Sequence, residues 1–283
     1  MSDELSARIA RVERAGYNRI AQRYADAAAS RAAIADVLIE AAALREGQSV
    51  LDLASGPGTL TLAAARRIGP SGFAVASDLA EKALGECRRL ARTADVPVPA
   101  CVAGDALRLP FRRSSFDRLL CGLGLMFFPR VETAVSEMLR VLRPGGTLAV
   151  SVWGDAHEVP LVACALDCMH RMLPAPKLSR PSVFRYGDPA QIEALLAAAG
   201  FTAVRIERTV LTSVFPGPAA YWQAFLDLAG GAAWSLARLP EETRSALAEA
   251  VSEELRPYRH ASGFRMDSVV LVASARRPEA AAR

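Results

Sequence analysis

The feature that most constrains this chain is the run Ser49-Val50-Leu51-Asp52-Leu53-Ala54-Ser55-Gly56-Pro57-Gly58-Thr59. A short apolar segment ends in an acid, a small-residue turn follows, and Leu60-Thr61-Leu62-Ala63-Ala64-Ala65-Arg66-Arg67 then reads as a helix. Strand, tight loop and helix in that order is the form of a nucleotide-type cofactor site in an open α/β sheet. Gly56 and Gly58 carry no Cβ, so the chain can turn sharply and a ligand can touch its backbone. The amides that open the next helix would point at that ligand.

The chain repeats this grammar. After the turn Gly69-Pro70-Ser71-Gly72, a second strand, Phe73 to Asp78, again ends in an acid. A third strand, Val98 to Ala103, runs into Gly104-Asp105-Ala106-Leu107, and a fourth spans Phe116 to Gly122. A helix from Val131 to Leu142 stops ahead of Pro144, which pushes its predecessor out of the α region, and Thr147 to Trp153 gives a fifth strand. Strands separated by helix-length patterns imply parallel βαβ units, whose ligands bind at the carboxyl ends of the strands. Asp52 to Gly58, Asp78, Gly104 to Leu107, Cys121 and Trp153 all fall at such ends.

Residues 3–45 read as two helices with Gly16 as the break, and Gly47 stops the second before the first strand. Beyond Trp153 the strict alternation ends. Residues 155–183 hold helical runs and several prolines, Asp188 to Ala199 is a helix capped by Gly200, and Thr202 to Val214 alternates as a strand. A helical insertion, Ala219 to Leu255, then precedes a last strand, Phe264 to Ala275. The expected fold is α/β: a Rossmann-like doubly wound sheet, mostly parallel with an antiparallel C-terminal strand. An N-terminal helical lid (1–48) precedes a main domain (49–276) with helical cap insertions at about 155–183 and 218–258, and a frayed tail (277–283) follows.

Composition narrows the function classes. The net charge is +4, but the basic residues are almost all arginines in isolated pairs such as Arg66-Arg67 and Arg88-Arg89, not a stripe interleaved with aromatics, so nucleic acid is not the expected partner. The five cysteines, Cys87, Cys101, Cys121, Cys164 and Cys168, are odd in number and scattered, which speaks for reduced thiols over a disulfide framework, and no metal site is expected. There is no apolar run of about 18 residues and no signal core, so a cytoplasmic location without a membrane span is the default expectation.

Two ligand classes compete for such a loop. A nicotinamide dinucleotide site wants Gly-x-Gly-x-x-Gly, and with Gly56 and Gly58 as the first two glycines the third position holds Thr61. A nicotinamide-dependent reductase is therefore the alternative reading, and a cofactor-binding protein without turnover is another. The segments Val50 to Gly58, Asp78, Gly104 to Phe111 with Ser115-Phe116-Asp117, and Glu137 through Arg140 to Leu148 together resemble the class I S-adenosylmethionine-dependent methyltransferases. Within them the chain is similar to the small-molecule group that includes the quinone-biosynthesis (ubiquinone and menaquinone) methyltransferases. The first position of that family's glycine loop is Ala54 here.

That resemblance implies S-adenosyl-L-methionine as cofactor. Ala54, Ser55, Gly56, Gly58 and Thr59 would pass under its methionine portion, with Asp52 near the amino group. Asp78, followed by Leu79, would accept hydrogen bonds from both ribose hydroxyls. Gly104 would be a cofactor contact, Asp105 would meet the adenine amine, Ala106 and Leu107 its ring, and Cys121 and Gly122 would lie beside the sulfonium. The reaction would be methyl transfer to an O or C nucleophile of a small, apolar or aromatic molecule, such as a quinol, phenol or polyketide-like acceptor. Tyr24, Met126, Phe127 and Trp153 are the expected acceptor walls, and His157, just past the fifth strand, is the candidate general base. Trp222, Phe225 and Trp234 are expected to pack the helical insertion. A small-molecule acceptor is the expected partner, with the chain a monomer or homodimer.

Overall fold

Val50, Leu51 and Leu53 are each at most 2% exposed, as the sequence of a strand covered on both faces requires. They belong to β1 (Ser49–Leu53), the centre of the sheet in the computed structural model, which describes residues 3–27, 32–94, 96–176 and 178–279. Its neighbours are β2 (Phe73–Asp78) and β4 (Phe116–Gly122), both parallel, with β3 (Ala100–Ala103) beyond β2 and β5 (Leu142–Trp153) beyond β4. Two antiparallel strands finish the sheet, β8 (Gly263–Arg276) beside β5 and β6 (Thr202–Phe215) at the edge, while the two-residue β7 (Arg259–His260) pairs with β8. The order is β3-β2-β1-β4-β5-β8-β6. Sequence order reverses direction at the β1–β4 boundary, and there a crevice opens beyond the strand ends.

Helices cover both faces. In the first half these are α3 (Thr59–Ile68), α4 (Glu81–Thr93) and α5 (Val131–Val141). In the second they are α6 (Pro160–Met172) and α7 (Pro189–Ala198), whose Asp188 cap accepts from Ala190 N at 2.9 Å. The insertion between β6 and β8 contains α8 (Pro218–Leu228), α9 (Gly230–Leu236) and α10 (Glu241–Glu254). Trp222 stacks on Phe225 with centroids 5.7 Å apart, as expected, and Tyr221 is fully buried beside them, while the side chain of Trp234 lies outside what is described.

Three expectations are corrected. Gly16 does not break the N-terminal helix, because α1 runs unbroken from Asp3 to Asp26, and α2 (Ala32–Ala41) ends well before Gly47. Gly16 is instead a point of close approach: a Cβ there would lie 2.6 Å from the carbonyl oxygen of Gly230 at the start of α9. The helix stops ahead of Pro144 as expected, but β5 starts at Leu142 and not at Thr147, absorbing Pro144-Gly145-Gly146 as an irregularity in its pairing with β4. Finally, Arg277 is not frayed. Its amide donates to Gly146 O, its carbonyl accepts from Gly145 N, and its guanidinium donates to Leu139 O, Arg140 O and Leu142 O. Residues 280–283 of the expected tail lie outside the described residues, as do Met1 and Ser2.

Candidate functional site

The loop after β1 is shaped by its backbone. Ala54, Gly56 and Gly58 all have positive φ, at 55°, 53° and 85°, and Gly58 is the N-cap of α3. Glycine suits two of these positions for conformation and for space, since a Cβ on Gly56 would meet the Tyr24 ring at 2.9 Å and one on Gly58 would meet Cys87 Sγ at 2.3 Å. Ala54 holds a left-handed conformation that a glycine would adopt at less cost.

Asp78, at the end of β2, reaches back to this loop. Its Oδ2 accepts from Gly56 N at 2.8 Å and its Oδ1 from Ala80 N at 2.7 Å, so one carboxylate fixes both the glycine turn and the entry to α4. Each oxygen keeps a lone pair for a ligand. Burial raises the pKa of this carboxyl against those amide bonds. Asp105 does not cap a helix; its Oδ1 accepts from Leu107 N at 2.9 Å within a turn. That turn is held from α5, where Glu137 accepts from Leu109 N at 2.7 Å and Arg140 donates to Leu109 O and Phe111 O. The Glu137-to-Arg140 motif thus positions the Asp105 loop without touching the cleft.

The three acid-bearing strand ends open into a cleft of about 850 Å³. Its floor includes Ala54, Gly56, Asp78, Leu79, Gly104, Asp105 and Ala106, and the end of β4 adds Gly122, Leu123 and Gly124. Its roof is α1, through Ala10, Glu13, Arg14, Tyr17 and Tyr24, with Phe127 and Phe128 at one side. A second cavity of about 460 Å³ adjoins it and shares Tyr24, Ala54, Gly122 and Leu123. It is lined by Asp52, Ser55 and Thr59, and on its apolar side by Ile34, Ala35, Leu38 and Leu60.

The polar chemistry of this smaller cavity is the most specific in the cleft. Ser55 Oγ and Thr59 Oγ1 are buried without a hydrogen-bond partner, a costly state unless something polar binds between them. Asp52, 1% exposed, accepts from Thr61 Oγ1 at 2.5 Å. Burial, opposed by that hydrogen bond and reinforced by the nearby Asp78 charge, raises its pKa to about 7. Hydroxyls beside a carboxylate are what the carboxylate and ammonium ends of an amino acid need, and the acids beyond them suit the hydroxyls and amine of a nucleoside. The residues fit S-adenosylmethionine. Thr61, which stands against a dinucleotide loop, has a role of its own here as the partner of Asp52.

The structure does not bring every expected residue to the cavities. Cys121, Met126 and Trp153 belong to the buried core, and Leu107 packs at its margin. Cys121 alternates with Gly122 along β4, so only the glycine opens to the cleft, and the thiol lies under Gly124. Gly58 shapes the loop from below without lining either space. His157 is exposed in a 3-10 turn, Ala156–Glu158, that an ion pair from Glu158 to Arg208 anchors toward β6, away from the cleft. It is not placed to act as a base. The α1 residues Glu13 and Arg14 were not expected; their i, i+3/i+4 spacing with Ala10 and Tyr17 is a stripe that the sequence holds but does not assign to a partner.

Comparison with known proteins agrees with this geometry. Residues 50–146 match the family model described as a methyltransferase domain. The chain is 32% identical over 179 residues to a ubiquinone/menaquinone biosynthesis C-methyltransferase of Azotobacter vinelandii, covering 59% of this chain and 70% of that protein. It is 43% identical over 109 residues to the Bordetella parapertussis protein of the same name, covering 38% and 42%. The match thus spans about half the length, or less, of the first curated relatives. A Bacillus halodurans protein solved as a candidate methyltransferase superposes with a TM-score of 0.62 at 20% identity, over 86% of this chain and 98% of that one, a likeness of fold. With the domain, a relative aligned over most of its length, and acids and glycines at the matching strand ends, the chain belongs to the class I S-adenosylmethionine-dependent methyltransferases, similar to their quinone-biosynthesis members.

Proposed function

We propose that the protein transfers a methyl group from S-adenosylmethionine to an O or C nucleophile of a small, apolar or aromatic molecule such as a quinol, phenol or polyketide-like acceptor. The observation that carries the reading is the junction of the two cavities. On one side lie Asp78 and Asp105, suited to a nucleoside; on the other lie Asp52 and the unpartnered hydroxyls of Ser55 and Thr59, suited to an amino acid. Between them are Ala54, Gly122 and Leu123, small or apolar and free of charge.

The bound cofactor supplies an activated methyl on sulfur, so the protein's contribution is to orient the two reactants and exclude water. Asp78 and the Gly56 amide hold the loop rigid, and Asp52 fixes the ammonium end. The row Tyr17, Tyr24 and Phe127, in edge contacts 5.6 and 6.1 Å apart, closes the mouth with apolar surface. In this reading α1 is the lid. No histidine lines either cavity among the described residues, and a phenol or quinol acceptor needs none, since it can react already ionised. Burial holds the Tyr17 hydroxyl well above its ordinary pKa, which makes it a hydrogen-bond donor, not a base. The relatives named above as quinone-biosynthesis C-methyltransferases support the quinol class.

A screen of quinols, phenols and polyketide-like acceptors with methyl-labelled cofactor tests this. Label entering at least one apolar aromatic acceptor is expected. Cofactor binding with no transfer to any of them would favour a binding protein without turnover.

A further inference from the structure

Cys87 and Cys101 lie behind the cofactor loop and take no part in the proposed reaction. Cys87, on α4, is fully buried and rests on Gly58: a Cβ added there would sit 2.3 Å from its Sγ and 3.0 Å from its Cβ. Cys101, on β3, packs against the cluster of Ala76, Leu84 and Cys87, and it is the one cysteine of the five that is not buried. Arg88 Nη2 donates to the Cys101 carbonyl at 3.0 Å, which brings a cation to this thiol.

We propose that Cys87 and Cys101 form an oxidant-sensitive modification site, whose disulfide withdraws the sulfur supporting Gly58 and so weakens cofactor binding. The loosening step rests on the reading that the 54–58 loop holds the cofactor. The adjoining Cys87 thiol and the Arg88 guanidinium lower the Cys101 thiol, while Cys101 and burial raise Cys87, so the more accessible sulfur is the one that ionises. The oxidant is a peroxide. The Cys101 thiolate attacks one peroxide oxygen, an S–O bond forms as the O–O bond breaks, and the departing hydroxide takes a proton to become water. Cys87 sulfur then attacks the sulfenic sulfur; the S–S bond forms, the S–O bond breaks, and hydroxide leaves with the Cys87 proton as water. In the proposed disulfide the Cys87 sulfur is held by Cys101 on β3 and no longer rests freely on Gly58. Gly58 loses its packing at the residue that caps α3 and whose amide donates to Ser55 O at 3.0 Å.

Hydrogen peroxide in small excess over the full chain, then thiol blocking and peptide mass spectrometry, should yield a Cys87–Cys101 linked peptide short of two hydrogens. Calorimetry on the same sample should show S-adenosylhomocysteine binding weakened about tenfold and restored by dithiothreitol. Cys101→Ser should bind like the reduced wild type and ignore peroxide. Absence of the linked peptide, or a linked protein with unchanged affinity, overturns the proposal. If the reduced wild type binds no S-adenosylhomocysteine, the cofactor reading and the loosening fail together, while the peptide still decides the thiol pair.

Discussion

The floor of the cleft is assembled from backbone amides, glycines and short acids, each fixed within one or two residues of a strand end. Its roof is held by long side chains reaching across the fold. Glu13 of α1 pairs with Arg180 at 2.8 Å, Arg14 with Glu81 at 2.8 Å, and Asn18 accepts from Lys82 N at 2.9 Å. Arg185 donates to Leu125 O and Phe128 O and so fixes the side wall. Arg180 and Arg185 both lie in the segment between α6 and α7, which thereby ties the roof to the wall. A floor of this kind is set by local geometry and tolerates little change. A roof of this kind rests on contacts that can be traded singly.

The comparison breaks most visibly at Asp78. Replacing it with Ala removes the acceptor for Gly56 N and Ala80 N at once, leaving two part-buried donors unpaired as well as removing a ligand contact. S-adenosylhomocysteine affinity should fall about 100-fold or more in calorimetry. A fall of only a few-fold would mean the floor is not built around this carboxylate.

On the roof, Gly16→Ala separates two outcomes by sign. In an unpacked helix the change would stabilise by about 1 kcal/mol. Against the Gly230 backbone, which cannot yield as a side chain would, it should cost about 1–3 kcal/mol in chemical denaturation. Stabilisation would show that α1 does not rest on α9.

Asp52 gives a pH signature. Its folded pKa, about 7, lies above the unfolded value of 3.8, so in that window the folded chain holds a proton that the unfolded chain has released. Its contribution to stability therefore declines as pH rises through the window, and Asp52→Asn should remove that share of the slope in denaturation profiles. A bound ammonium favours the ionised form, so S-adenosylhomocysteine affinity should rise about tenfold from about pH 6 to about pH 8 in the wild type and stay nearly flat in Asp52→Asn. The smallest effect belongs to His157→Ala, exposed and outside the cleft, which should change kcat/KM by less than about twofold; a large loss would return the histidine to the site.

The same contrast explains what the sequence made legible. Asp52 to Gly58, Asp78 and Gly104 to Ala106 could be read because a strand end, a positive-φ turn and an acid are short-range features with few alternative explanations. Met126, Trp153 and Cys121 were misplaced because their position along the chain set them at a strand end or in the following turn, while burial faced them into the core. His157 was misplaced because the route of the chain after Gly154 depends on β6 and β8, more than a hundred residues further on in the case of β8. Gly16 has the residue type of a break, yet its use is a contact with Gly230, which no local pattern encodes. Glu13 and Arg14 lie on a visible helical stripe whose partner only the tertiary fold supplies.

The most direct test of the central claim is a calorimetric titration of the reduced wild-type chain with S-adenosylhomocysteine, repeated in the presence of excess NADH. Saturable binding at one site per chain, indifferent to NADH, is the expected result. No binding, or binding that NADH displaces, would contradict the assignment of the Asp52–Asp78–Asp105 cleft to S-adenosylmethionine.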